Sequence, residues 1–411
     1  MKQYQTLYDV SLCVKISNVD VVTIPVSDIV SITIINNYDT STFPIIRYRL
    51  MIDSSIIQNM LEYSDELSIM NTLNGNVYMY DTDDHSKPFA VAGASSLNIN
   101  MKAYVEYKNT PTSKYDQYQN GIKISNMLNE TPKVPIELFA YDKDMIYYMK
   151  RRSESVYKNM SIQSIIDDIL SRGNILKYKM NVPNQQTCFD QILIPNLNIL
   201  QSFSFLDQYY GIYEKGCHLY GDIDQLYITN ASSDIAGNIV HINVLDVNNS
   251  SVPPGLSRYD RNEFVMTILY DNVSVLSETD IERILQAENI GAININTEDI
   301  QTASLSKLYE YQSNTFSKYG IPNILHKYEN PYIASSHAAR IIEKTTKIDI
   351  AFNGMDIGMI HPDTRFNIVF EKVLRGRSIN GLYRPMFANH ILTNENNNLF
   401  SANTAMTLCK N

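Results

Sequence analysis

Leu97-Asn-Ile-Asn-Met-Lys-Ala-Tyr-Val-Glu-Tyr107 sets Leu97, Ile99, Met101, Ala103, Val105 and Tyr107 against Asn98, Asn100, Lys102 and Glu106. A period of two is the mark of a half-buried β-strand, because successive side chains leave the pleat on opposite faces. The same alternation recurs upstream. Val10, Leu12, Val14 and Ile16 alternate with Asp9, Ser11, Cys13 and Lys15, and Ile32 and Ile34 with Ser31 and Thr33. Ile46, Tyr48, Leu50 and Ile52 alternate with Arg47 and Arg49. One helix interrupts the strands, with Ile56, Ile57, Met60 and Leu61 on one face after the N-cap types Ser54 and Ser55. The lone Gly93 in Val91-Ala-Gly-Ala-Ser-Ser96 reads as a bend before the next strand. These residues predict a mostly antiparallel barrel or sandwich with a single helix.

Downstream, Asn109-Thr-Pro-Thr-Ser-Lys-Tyr-Asp-Gln-Tyr-Gln-Asn-Gly121 has turn formers and no aliphatic anchor, so the first unit is expected to end near residue 118. Pro135-Ile-Glu-Leu-Phe-Ala-Tyr141 is a strand candidate. In Ser161-Ile-Gln-Ser-Ile-Ile-Asp-Asp-Ile-Leu-Ser-Arg-Gly173, the apolar residues Ile162, Ile165, Ile166, Ile169 and Leu170 follow helical spacing. Ser161 is placed to cap that helix and Gly173 to end it. A second helix carries Ile199, Phe203, Leu206 and Tyr210 on one face and ends at Gly211. Strand signals return in Leu226-Tyr-Ile-Thr and Gly237–Val244, and Asn248–Gly255 reads as a loop. Residues 278–340 read as helix-rich. The chain closes on alternating Ile348, Ile350 and Phe352, then Phe366, Ile368 and Phe370, then a strand starting Gly381-Leu-Tyr-Arg.

At 411 residues, with 44% hydrophobic and 19% charged, the chain has the size of two to four folded domains and excludes a disordered or collagen-like class. There are 29 Tyr and no Trp, a bias that an AT-rich genome or large subunit contacts would produce. A net charge of −10 opposes general nucleic-acid binding, which needs Lys and Arg to release counterions. Cys13, Cys188, Cys217 and Cys409 lack the spacing of a zinc site or a disulfide framework. Charged residues break up any signal-peptide core before Val30, and no stretch of about 18 apolar residues suggests a membrane helix.

The search for chemistry finds no HExxH, no GxSxG and no phosphate-binding glycine loop. His361-Pro-Asp-Thr has no second ligand at helical spacing, and Asp81-Thr-Asp-Asp-His85 reads as a solvated hairpin tip. Glu278, Asp280 and Glu282 read as surface helix charge, and Lys150-Arg151-Arg152 as a solvated helix end. No catalytic, cofactor-binding or metal-binding residue is assigned, and no cofactor is expected.

One region does point to a family. Met160–Gly173, then Val182-Pro-Asn, Ile194-Pro-Asn-Leu197 and Phe205-Leu-Asp-Gln-Tyr-Tyr-Gly-Ile-Tyr213, resembles the tail-hub family of contractile injection machines. That family includes the T-even-type baseplate hub, the late control protein D group and the hub part of VgrG. Phe352-Asn-Gly, Leu382-Tyr-Arg and His390-Ile-Leu-Thr look like the family's closing barrel. The resemblance implies an α+β fold with two tail-tube-like antiparallel β-barrel domains, joined by a small α/β connector and carrying a helical insertion. On this chain the barrels fall at 1–118 and at 214–277 with 341–411, the connector at 119–213 and the insertion at 278–340.

It further implies a non-enzymatic virion protein of the tail baseplate, made and assembled in the host cytoplasm. The implied form is a homotrimeric ring of pseudo-sixfold symmetry, with the tail tube protein and the central spike protein as partners and baseplate wedge proteins as further candidates. Sequence-specific nucleic-acid binding and stable membrane insertion are not expected, although DNA passes through such a channel. The net charge then suggests carboxylates lining that channel. Another virion component or a tail-associated peptidoglycan hydrolase are the alternatives.

Overall fold

The computed structural model describes residues 2–17, 20–38, 43–63, 66–81, 89–106, 133–142, 150–175, 177–223, 225–230, 238–245, 255–260, 263–277, 279–281, 283, 330, 332, 336, 339, 343–344, 346–370, 379–395 and 398–410. The 109–121 break, the tip at 82–85, Glu278, Glu282 and most of 278–340 lie outside the described residues. So do the side chains of Ser54 and Ser55, the expected cap of the first helix.

The first strands are β1 (Lys2–Lys15), β2 (Val21–Ile24), β3 (Ile29–Asn37) and β4 (Ile45–Asp53), followed by helix α1 (Ser54–Glu62) and then β5 (Ser68–Asp81), β6 (Phe89–Glu106) and β7 (Lys133–Tyr141). The middle of the chain holds β8 (Arg152–Tyr157), β9 (Met160–Ser161), α2 (Ile162–Arg172), β10 (Tyr178–Met180), β11 (Cys188–Phe189), β12 (Ile192–Asn198), α3 (Ile199–Tyr209), β13 (Cys217–Gly221) and β14 (Leu226–Asn230). The remainder is β15 (Ile239–Leu245), β16 (Gly255–Asp260), β17 (Glu263–Leu269), β18 (Val273–Val275), β19 (Lys347–Asn353), β20 (Arg365–Phe370), β21 (Gly381–Asn394) and β22 (Phe400–Lys410).

Alternation resolves into a closed antiparallel barrel. Its circuit runs β1, β5, β6, β7, β4, β3, β21, β22 and back to β1. Val10, Leu12, Val14 and Ile16 point inward with Ile32, Ile34, Ile46, Tyr48, Leu50 and Ile99, all nearly inaccessible. The barrel therefore draws on three separated parts of the chain, and the compositional break near 118 is not its boundary. Gly93 does not end a strand. It lies inside β6 next to a bulge, where Asn74 pairs with Ser96 but Asn76 with Gly93. The close approach is on the other strand, where a Cβ on Gly75 would sit 2.9 Å from the Ala94 Cβ.

A second core forms around β15, β17, β20 and the far halves of β21 and β22, with β19 and β18 beyond β22. The expectation of purely antiparallel pairing fails here, because β15 runs parallel to both β17 and β20. β16 hydrogen-bonds to the side of β17 away from β15, so the chain returns along β17 in the β15 direction. The C-terminal hairpin belongs to both cores: Leu392, Phe400 and Ala402 pack in the first, and Tyr383, Ala388, Met406 and Leu408 in the second.

The third core is helical. Ser161 Oγ accepts from Ser164 N at 3.2 Å and Ile162, Ile165, Ile166, Ile169 and Leu170 are buried, as the spacing predicts. The left-handed residue after α2 is Asn174 (φ 55°). Gly173 instead allows close approach to α3, since a Cβ there would lie 2.7 Å from Ile199 Cδ1, which would have to shift. Asn198 and Gln201 form a reciprocal capping box on α3, and Gly211 turns the chain out of it at φ 77°. Beyond it, Leu219, Leu226 and Ile228 pack into the helical core while Tyr220 and Tyr227 pack into the second. The β13–β14 hairpin is thus a seam, each face serving a different core.

Candidate interaction surface

Alternation that buries one face of a strand exposes the other, and eight consecutive antiparallel neighbours place those outer faces side by side. They are β18, β19, β22, β21, β3, β4, β7 and β6, a wall that crosses both β cores. Pairing aligns one row from Asn353 through Asn403, Ile391, Thr33, Arg47 and Phe139 to Tyr104. The next row runs from Ala351 through Ala405, Asn389, Ile35, Ile45 and Tyr141 to Lys102.

At the β4–β7–β6 end, side chains hold one another in place. Arg49 Nε donates to Glu137 Oε1 at 2.9 Å, and Arg47 Nε lies 3.7 Å from Oε2. The Arg47 guanidinium sits 5.1 Å from the Phe139 ring centroid, and Phe139 stacks on Tyr104 at 5.4 Å. Tyr104 and Ile45 at this end are 44% and 39% exposed, and Ile391 of β21, two strands away, is 38% exposed. Exposed apolar side chains beside arginine and tyrosine are the composition of an interface centre. At the other end a groove of about 400 Å³ is lined by Asp271, Ser274, Asp349, Ala351, Phe387, Ala405 and Thr407. Thr407 Oγ1 donates to Asp349 Oδ1 at 2.5 Å.

Four buried polar groups fasten the cores behind this wall. The Asp356 carboxylate, 4% exposed, accepts from Tyr8 Oη (3.0 Å), Gly358 N (3.1 Å), and both Ser95 N and Ser95 Oγ (2.8 Å each). Glu343 meets Arg384 of β21 and His218 of β13. Within the α3 turn, Asp207 Oδ1 accepts from Ile212 N and Oδ2 from Cys217 N. The sequence marks Asp207 only as part of a helix end, because a carboxylate that caps a turn five to ten residues on leaves no periodic signal.

His390, on the shared hairpin, is the fourth. Its Nδ1 lies 3.0 Å from Thr404 Oγ1, and its Nε2 has no hydrogen-bond partner among the described residues. Burial pushes its pKa down to about 4 from 6.5, so it is neutral at pH 7. A base with a depressed folded pKa contributes fully above its unfolded value and loses that contribution as pH falls. The urea midpoint should therefore decline between pH 6.5 and 4, by the equivalent of about 3 kcal/mol. An H390N variant should show a flatter profile over that window; the same slope in both proteins would refute the assignment.

The remaining polar candidates are structural or solvated. His361 Nδ1 lies 3.0 Å from Asp222 Oδ2, beside a cleft of about 560 Å³ where the cores meet. Asp280 pairs with Ser277 and Arg283, and Lys150, Arg151 and Arg152 are exposed. The four cysteines are free thiols. Among the described residues, no group of three or more His, Cys, Asp or Glu could hold a metal ion, and no helix is long and apolar enough to cross a membrane.

Against known proteins, residues 4–411 match the family model described as Bacteriophage PBS1 gene 109 protein. No curated protein matches the chain. Among solved structures, the 43 kDa tail protein of prophage MuSo2 from Shewanella oneidensis is similar at 10% identity and a TM-score of 0.45, covering 98% of both chains. The tail protein from Neisseria meningitidis MC58 is similar at 9% identity and a TM-score of 0.45, covering 98% of this chain and 96% of that one. The E. coli c3393 protein, a component of the type VI secretion system, is similar at 7% identity and a TM-score of 0.40, covering 93% and 74%.

Proposed function

Because the chain belongs to the Bacteriophage PBS1 gene 109 protein family, we propose that it is the structural hub of a phage tail baseplate or a related contractile injection device. Three copies form a ring that joins a sixfold tail tube to a threefold spike. The chain acts by geometry and not by catalysis. In this reading its parts are a first barrel, an α/β connector, a second barrel and the 278–340 insertion.

The observation that carries the reading is the C-terminal hairpin, whose two halves complete two different β cores. Both β bodies are thereby held at one fixed spacing on one chain. Three such chains offer six barrel positions around a threefold axis, which resolves the symmetry mismatch between tube and spike. Eight wall strands per chain supply about 24 strands to the ring, and at about 4.8 Å per strand they enclose a channel of about 37 Å between backbones. On and beside these rows, Arg47, Arg49 and Lys102 stand against Glu137 and Asp349, so this part of the face carries no excess of the carboxylates that the net charge suggested.

Electron microscopy and light scattering of the purified chain, alone and with tube and spike partners, test the proposal. Rings with three times the 47.0 kDa chain mass are expected. A chain that stays monomeric even with both partners, or that clears cell-wall suspensions as a hydrolase, would overturn it.

A further inference from the structure

The two ends of the wall carry opposite charge and complementary relief. At one end Tyr104 stands out beside Arg47 and Arg49; at the other, Asp271 and Asp349 rim a groove floored by Ala351 and Ala405. We propose that the arginine–aromatic end of one copy seats in the aspartate-rimmed groove of the next copy, as a head-to-tail contact that closes the ring. This rests on the ring reading above and names the surfaces that make it.

The two patches cannot meet within one chain, because β22, β21 and β3 separate β19 from β4 in a continuous hydrogen-bonded sheet. Any contact between them therefore joins two copies. A contact between unlike surfaces is heterologous, and heterologous contacts generate rings when the rotation closes. In a ring, the end of one wall then opposes the beginning of the next.

Charge favours a second copy as the occupant. Chains of net charge −10 repel one another at long range, so association needs a local reversal of sign. Arg47 and Arg49 are a local excess of positive charge, with Glu137 fixing their guanidinium groups. Asp349 is likewise oriented by Thr407. Such pairs set register and partner choice, while Tyr104, Phe139 and Phe387 supply apolar area. The stacked rings also argue against a run of stacked bases here, because the Phe139 ring is taken up between Arg47 and Tyr104.

A charge swap tests the contact by light scattering across a dilution series, with circular dichroism confirming the fold. Arg49→Glu and Asp349→Arg each lie on exposed outer strand positions and should raise the dissociation midpoint of the trimer at least tenfold. The double variant R49E with D349R should recover most of that loss. Trimers that survive both single changes, or a double variant no better than the singles, overturn the contact while leaving the ring standing. Single variants that stay trimeric but lose tube or spike binding assign the surface to that partner and also overturn it. A wild-type chain that never trimerises overturns both the contact and the ring.

Discussion

Glu343→Ala is expected to cost about 3–5 kcal/mol, among the largest losses from a single polar change among the described residues. Glu343 and Arg384 are 8% and 7% exposed, and Arg384 Nη2 donates to Glu343 Oε1 at 2.5 Å while His218 Nε2 lies 3.3 Å from the same oxygen. Removing the carboxylate leaves a guanidinium in the interior with no counter-charge, so its desolvation goes uncompensated. Burial alone would raise the Glu343 pKa, but the hydrogen bonds and charges of His218 and Arg384 outweigh it and hold the group at about 2, against 4.5. A depressed carboxylate pKa contributes stability above the unfolded value and loses it as pH falls through the folded one. Acid should therefore weaken the wild type between pH 4.5 and 2, a window that overlaps only the low end of the His390 one. Urea titration at pH 7 checks the main effect, and E343L combined with R384M should restore most of the loss because it removes both charges. A midpoint for E343A equivalent to less than about 1 kcal/mol would refute the argument.

Asp356→Ala should come close, at about 3–5 kcal/mol, for a different reason. One carboxylate satisfies donors from β1, from the β6 bulge and from its own turn, and Tyr8 Oη in turn accepts from Ile357 N at 2.7 Å. Truncation strands these donors where little water reaches them. The expected signature is faster amide exchange at Ser95 and Gly358 together with a lower urea midpoint. D356N keeps the shape but replaces one acceptor oxygen by a donor, so it should fall between wild type and alanine. Unchanged exchange at Ser95 in D356A would show that the bulge is held by something else.

Much of the local structure was legible in the chain. Every alternating run quoted from the first hundred residues became a barrel strand, because period two and a single buried face are properties of consecutive residues. The α2 helix, its Ser161 cap and the left-handed Gly211 were legible for the same reason. Gly93 misled because a bulge and a bend use the same residue, and only the partner strand tells them apart.

The interaction wall was legible only in part. Arg47 and Arg49 were visible as the polar half of a strand, but nothing local says that Tyr104 and Phe139 lie beside them, more than 50 positions on. Asp356, Glu343 and His390 carried no periodic signal, since each acts through partners from distant parts of the chain.

By itself the sequence determined which residues face in and which face out, where helices begin and end, and that composition and charge suit a folded protein with no legible catalytic motif. Only the tertiary structure decided that one C-terminal hairpin completes two cores, that β15 lies parallel to its neighbours, and that eight outer faces form one wall. The physical reason is that facing is set by the geometry of the strand a residue belongs to. Pairing is set by hydrogen bonds along strand edges, and those edges are alike in every strand until the whole chain has closed.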